Sequence, residues 1–145
     1  MRTALKNKAL ELLREVDLRN YIVYLKMEPH LLETLSCLKE RGMLRAINTS
    51  RTTSMKYIIQ RFNLGPHFDR VVTALDVKHP KPHPESIEKI LQAFNLCKEE
   101  ALFIRDSEVD RQTAKSSGVT FVACKNREIK NEAFIKDHHA LLGFF

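Results

Sequence analysis

The chain opens with apolar residues at Leu5, Ala9, Leu10, Leu12, Leu13 and Val16, a spacing that predicts a helix over 4–17. Residues 20–25 are β-branched and aromatic and read as extended. Pro29 suits the first turn of a helix carrying Leu31, Leu32, Leu35 and Leu38, and Gly42 suits its C′ stop. A regular alternation follows. Short apolar runs at 43–48, 70–74, 101–104 and 119–123 predict strands. Between them, 52–62, 84–94 and 107–117 predict helices, closed by Gly65-Pro66, by the end of the Ile87, Ile90, Leu91, Phe94 stripe, and by Gly118. Residues 131–142 predict a last helix.

Strands alternating with helices imply βαβ units, a parallel sheet and helices on both faces, an α/β fold of Rossmann-like, three-layer type. In such sheets ligands lie off the carboxyl ends of the strands. That rule selects three segments: Asn48 to Arg51, Asp76 to Pro84, and Arg105 to Ser107. Thr49 and Ser50 offer hydroxyl and backbone donors ahead of a helix N-terminus, where an anion is favoured. Lys81 is followed by Pro82 and Pro84, which present its ammonium on a stiff loop. Asp106 and Asp110 are expected on one face at the start of a helix, with Asp106 the metal-ligand candidate and Asp110 an anchor for Lys81 or for water. Taken singly, each has a plainer reading: an N-cap, a surface lysine, an acid in a first helical turn.

Composition narrows the picture. The 145 residues suffice for one domain. No apolar run reaches about 18 residues, so no membrane-spanning helix is expected. The first residues lack the apolar stretch of a signal peptide, and Cys37, Cys97 and Cys124 form no paired motif. These features favour a reducing cytoplasmic setting, with each cysteine a small hydrophobe in an apolar stretch. The net charge of +6 favours anionic partners. The basic residues are scattered among acids, however, and form no stripe with aromatics, which disfavours a nucleic-acid surface. His138 and His139 are adjacent and point apart on a helix, so they read as surface or half-buried histidines.

In combination and order, three stretches resemble the haloacid dehalogenase (HAD) superfamily, in its phosphoglycolate-phosphatase-like branch. Leu38 to Ser50 resembles the strand carrying the family's threonine or serine. Asp76 to Glu85 resembles its lysine loop, and Glu99 to Asp110 with Ala114 to Gly118 its acidic motif and helix. The resemblance covers about residues 20–125. It implies that Thr49, Ser50 and Lys81 hold the phosphoryl group of a small phosphorylated molecule, that Asp106 binds Mg²⁺ and that Asp110 supports the site.

Two departures stand out. The resemblance implies an aspartate nucleophile in an Asp-x-Asp-Gly-Thr motif on a central strand. The acids before Thr49 are Glu11, Glu15, Asp17, Glu28, Glu33 and Glu40, and none fits that motif. Residues 1–25 then read as a remnant of the helical cap, and 26–145 as the α/β core without its first strand. The expectation is a phosphatase-like chain that is inactive as given, with Mg²⁺ held weakly. The alternatives are a pseudophosphatase that binds phosphate ligands or a protein, and a basic nucleic-acid module. The gap would expose two apolar strand edges and favour self-association, unless Tyr21 to Leu25 or a second chain fills it. The second departure is Arg105, where the family usually has glycine. Its side chain either turns away into solvent or marks a site freed from its usual constraint.

Overall fold

The computed structural model describes residues 25–129 and 133–144. The cap remnant and the extended run at 20–24 lie outside those residues. In chain order the regular elements are α1 (Leu31–Glu40), β1 (Ala46–Asn48), α2 (Ser54–Arg61), β2 (Arg70–Val72), α3 (Glu85–Phe94), β3 (Leu102–Arg105), α4 (Glu108–Ser117), β4 (Thr120–Cys124) and β5 (Ala133–Ile135). Short 3₁₀ turns lie at Gly65–His67, Ala74–Asp76 and Lys98–Glu100, and a longer one covers His138–Phe144.

All strand pairing is parallel. β1 pairs with β2 in the register Ile47 to Val71. β3 pairs with β4 (Ile104 to Val122), and β4 with β5 (Ala123 to Phe134). The strands thus form two sheets, β1–β2 and β3–β4–β5. Facing edges of β1 and β3 border an open groove of about 450 Å³. Its walls include Leu38, Ala46, Leu91, Phe94, Leu102 and Phe103. Leu44 and Leu102, on its rim, are among the most exposed large apolar side chains. Among the described residues no strand fills this groove, the place where the sequence predicts a missing one.

The layers follow from strand alternation. On β4, Phe121 and Ala123 pack with Ile87, Ala114, Val119 and Ile129 beneath α3 and α4. Val122 and Cys124 face the other way and pack with Ile135 and Leu141. Burial on both faces explains the unbroken apolar run at 119–124. A third cluster seats Met55 and Ile58 of α2, with Leu64, against Ile47 and Val71 of the smaller sheet.

Two helix ends have clear chemical stops. Asn95 ends α3 in the left-handed region, and Gly118 ends α4 with φ 75°. A Cβ built at Gly118 would meet Lys98 Cδ at 2.9 Å. Gly118→Ala is therefore expected to destabilise the chain by about 1 kcal/mol or more, measured by urea unfolding.

The structure corrects several expectations. The helix expected over 131–142 is not formed by its described residues, 133–142: Ala133–Ile135 is a strand, and His138–Phe144 is a 3₁₀ segment. The register of β5 on β4 decides this, since Ile135 reaches the core only as a strand neighbour of Cys124. The expected strands at 43–48 and 70–74 shorten to 46–48 and 70–72. Cys124 is buried and Cys37 half-buried, but Cys97 is exposed and is no core residue. His138 is half-buried, its Nδ1 4.0 Å from Cys124 Sγ, and burial holds its pKa below the ordinary histidine value. No helix of the described residues is long and apolar enough to cross a membrane.

Candidate functional site

The carboxyl ends of β1 and β3 are joined by a buried polar chain. Lys81 Nζ donates to the carbonyl of Asn48, the last residue of β1, at 3.2 Å. It also donates to Asp110 Oδ1 at 2.8 Å. Both side chains are nearly inaccessible, at 5 % and 4 % exposure. Asp110 Oδ2 accepts from Ser107 Oγ at 2.6 Å and from Arg105 Nε at 3.0 Å. One buried carboxylate is therefore held between two cations, which leaves the trio with one net positive charge. Lys81 Nζ also lies 5.5 Å from the centre of the Phe103 ring, a cation–π contact on the groove wall.

Local sequence explains each placement. Ser107 is the N-cap of α4, and its oxygen accepts from the backbone N–H of Asp110 at 3.2 Å. That cap fixes Asp110 in the first turn, facing inward. Asp106 precedes the cap, so it stands outside the helix and is exposed, while Asp110 is buried. The expected shared face of these two acids is not formed. Asp106 shows one contact, its carbonyl accepting from Asn126 Nδ2 at 3.0 Å.

The lysine loop is stapled by Glu85. Its carboxylate accepts from the backbone N–H groups of Lys78 (2.9 Å) and His79 (2.8 Å) and meets His79 Nδ1 at 2.9 Å. These bonds, the Lys78 one foremost, pull its pKa down to about 2. The contribution of Glu85 to loop order is thus fully present above the ordinary glutamate range and is lost as pH falls toward 2. Glu85→Gln is expected to raise amide hydrogen exchange at Lys78 and His79 at neutral pH.

For Asp110, burial opposes the ionised form. Hydrogen bonds from Lys81 and Ser107, with the charge and hydrogen bond of Arg105, outweigh burial and hold its pKa below the ordinary value. Burial pulls Lys81 below the ordinary lysine value, and Asp110 works against that pull.

Thr49 is buried at the end of β1, and its Oγ1 accepts from the N–H of Arg51 at 3.1 Å. Ser50 is exposed beside it. Both lie ahead of α2, which begins at Ser54 after an N-cap at Thr53. Thr49 and Lys81 are brought together through the Asn48 carbonyl. Asn48 lines the groove, its Nδ2 donates to Ser86 Oγ at 3.0 Å, and its buried Oδ1 has no partner. Sequence reasoning missed Asn48, Ser107 and the pairing of Arg105. The three-residue spacing from Ser107 to Asp110, a capping distance, was the one available signal.

These strand ends belong to a known architecture. The sequence profile of the haloacid dehalogenase-like hydrolases matches residues 2–124. The chain belongs to that family. A putative pyrophosphatase PpaX from Caldanaerobacter subterraneus subsp. tengcongensis is 32 % identical over 142 residues, covering 92 % of this chain and 64 % of that protein. Phosphoglycolate phosphatase of Escherichia coli is 28 % identical over 91 residues, covering 62 % of this chain and 36 % of that one. The crystal structure of a HAD-superfamily hydrolase of subfamily IA from Geobacter sulfurreducens superposes with a TM-score of 0.88 at 34 % identity, over 98 % of this chain and 72 % of that one. The chain spans less than two thirds of the length of the PpaX and phosphoglycolate phosphatase relatives it matches. The fold is accordingly the Rossmann-like core of these hydrolases, with parallel strands throughout.

The family is generally Mg²⁺-dependent. Mg²⁺ takes near-octahedral oxygen coordination. Among the described residues this site offers it one free carboxylate, Asp106, because both oxygens of Asp110 are already bonded. Among the described residues, the one cluster with ligand-like spacing, His79, His83 and Glu85, is on the lysine loop, with both histidines exposed. The described strand-end residues therefore do not fit a Mg²⁺ site.

Proposed function

We propose that this strand-end site holds the phosphoryl group of a small phosphorylated molecule and, in this chain alone, does not hydrolyse it. The observation that carries the reading is the position of Lys81. Its ammonium has three N–H donors, and Asn48 and Asp110 account for two. On this reading the third, with the net positive charge of the trio, goes to a phosphoryl oxygen. Thr49 and Ser50 add a hydroxyl and backbone donors beside it. The names of the PpaX and phosphoglycolate phosphatase relatives support a small phosphate-bearing ligand.

Hydrolysis by this family proceeds through an aspartate that attacks phosphorus, and the sequence carries no Asp-x-Asp-Gly-Thr motif. The described residues place no other carboxylate where it could serve. Asp110 is spent on Lys81, Arg105 and Ser107, and Asp106 stands outside the network. Binding without turnover follows. The test is release of p-nitrophenol from p-nitrophenyl phosphate with Mg²⁺ present. No release above the uncatalysed background is expected. Turnover that disappears in both Asp106→Asn and Lys81→Ala would contradict the proposal.

A further inference from the structure

Arg105 brings a second cation to the carboxyl end of β3, beside Asp110. It is the last residue of β3, and its side chain is 42 % exposed. Its Nε is spent on the buried Asp110, which fixes the guanidinium plane at the mouth of the site. Among the described residues its two terminal nitrogens have no hydrogen-bond partner. This is a pre-oriented fork, whose geometry suits two oxygens of a phosphate. The neighbouring carboxylate that would have to bind Mg²⁺, Asp106, lacks companions among the described residues.

We propose that the site takes a phosphate-class dianion without a divalent metal, with Arg105 as its solvent-facing cation and Lys81 as its buried one. This rests on the phosphate-holding reading above. Two positive groups flank the anion, and Asp110 fixes the spacing between them. An exposed aspartate nearby, Asp106, contributes repulsion rather than a ligand. The side chain does not turn wholly into solvent, because its Nε is bonded to Asp110.

Calorimetric titration of the full chain with inorganic phosphate tests it, run once with EDTA and once with Mg²⁺. Wild type is expected to bind equally in both. Arg105→Gly is expected to weaken binding about tenfold, the loss of one charge-assisted contact. Arg105→Lys keeps the charge without the fork and is expected to fall between them. Asp106→Asn is expected to bind as well as wild type or better. Circular dichroism and urea midpoints identify any variant that fails to fold, and the Asp106→Asn and metal arms decide in that case. Binding that requires Mg²⁺ and is lost in Asp106→Asn would overturn the metal-free inference while leaving the phosphate site standing. Absence of phosphate binding under both conditions would overturn both.

Discussion

Asp110→Asn is expected to cost about 3 kcal/mol of folding stability at neutral pH, near the lower end for breaking a buried ion pair. The side chain has almost no solvent access, and its carboxylate is the shared partner of Lys81, Arg105 and Ser107. Asparagine keeps one acceptor oxygen of the same shape, but it removes the charge that compensates a buried ammonium. The pH dependence carries the diagnosis. A carboxylate whose folded pKa is depressed stabilises above its unfolded pKa, about 3.9, and loses that contribution as pH falls through the lower folded value. The gap between wild type and Asp110→Asn should therefore be widest near neutrality and narrow below about pH 4. Urea unfolding at pH 7 and at successively lower pH measures it. A gap that stays constant with pH would contradict an electrostatic origin.

Phe121→Ala is expected to cost about 3–5 kcal/mol, the range for emptying a buried aromatic site. Phe121 is 6 % exposed near the start of β4 and meets the Phe103 ring edge-on, with centroids 6.2 Å apart. It packs with Ile87 of α3 and Ala114 of α4, so its loss loosens the layer that carries both Arg105 and Asp110. Phe103 is also the ring beneath Lys81. Unlike Asp110→Asn, this variant should lose the same stability at pH 7 and pH 5, because no titrating group is removed. The pair of variants thus separates packing from electrostatics within one network, by urea midpoints alone.

The alternation of strands and helices was legible because each element buries a face whose period shows in the sequence. β4 is the clearest case: Phe121 to Cys124 is apolar throughout, and both faces of the strand are covered. β5 was not legible. Ala133 to Ile135 is short, and a partner strand rather than local spacing decides that it is extended. Helix boundaries also misled at the site. Asp106 and Asp110 are four residues apart, which on a continuous helix means one face, but the cap at Ser107 places Asp106 outside the helix. The order Thr49, Lys81, Asp106, Asp110 was readable as a pattern of residue types. The burial of Lys81 and the anchoring of Arg105 were not, because both depend on distances across the two sheets. Leu44 and Leu102 are exposed on the rim of the groove that β1 and β3 border.

A site that holds a phosphoryl group and leaves it intact would perturb an ester without consuming it. Phosphorus NMR of a small phosphomonoester incubated with the full chain tests both halves at once. The ester resonance is expected to broaden or shift with wild type and far less with Arg105→Gly, while no inorganic phosphate signal grows over hours. An inorganic phosphate signal that rises in proportion to chain concentration, or an ester resonance untouched by wild type, would contradict it.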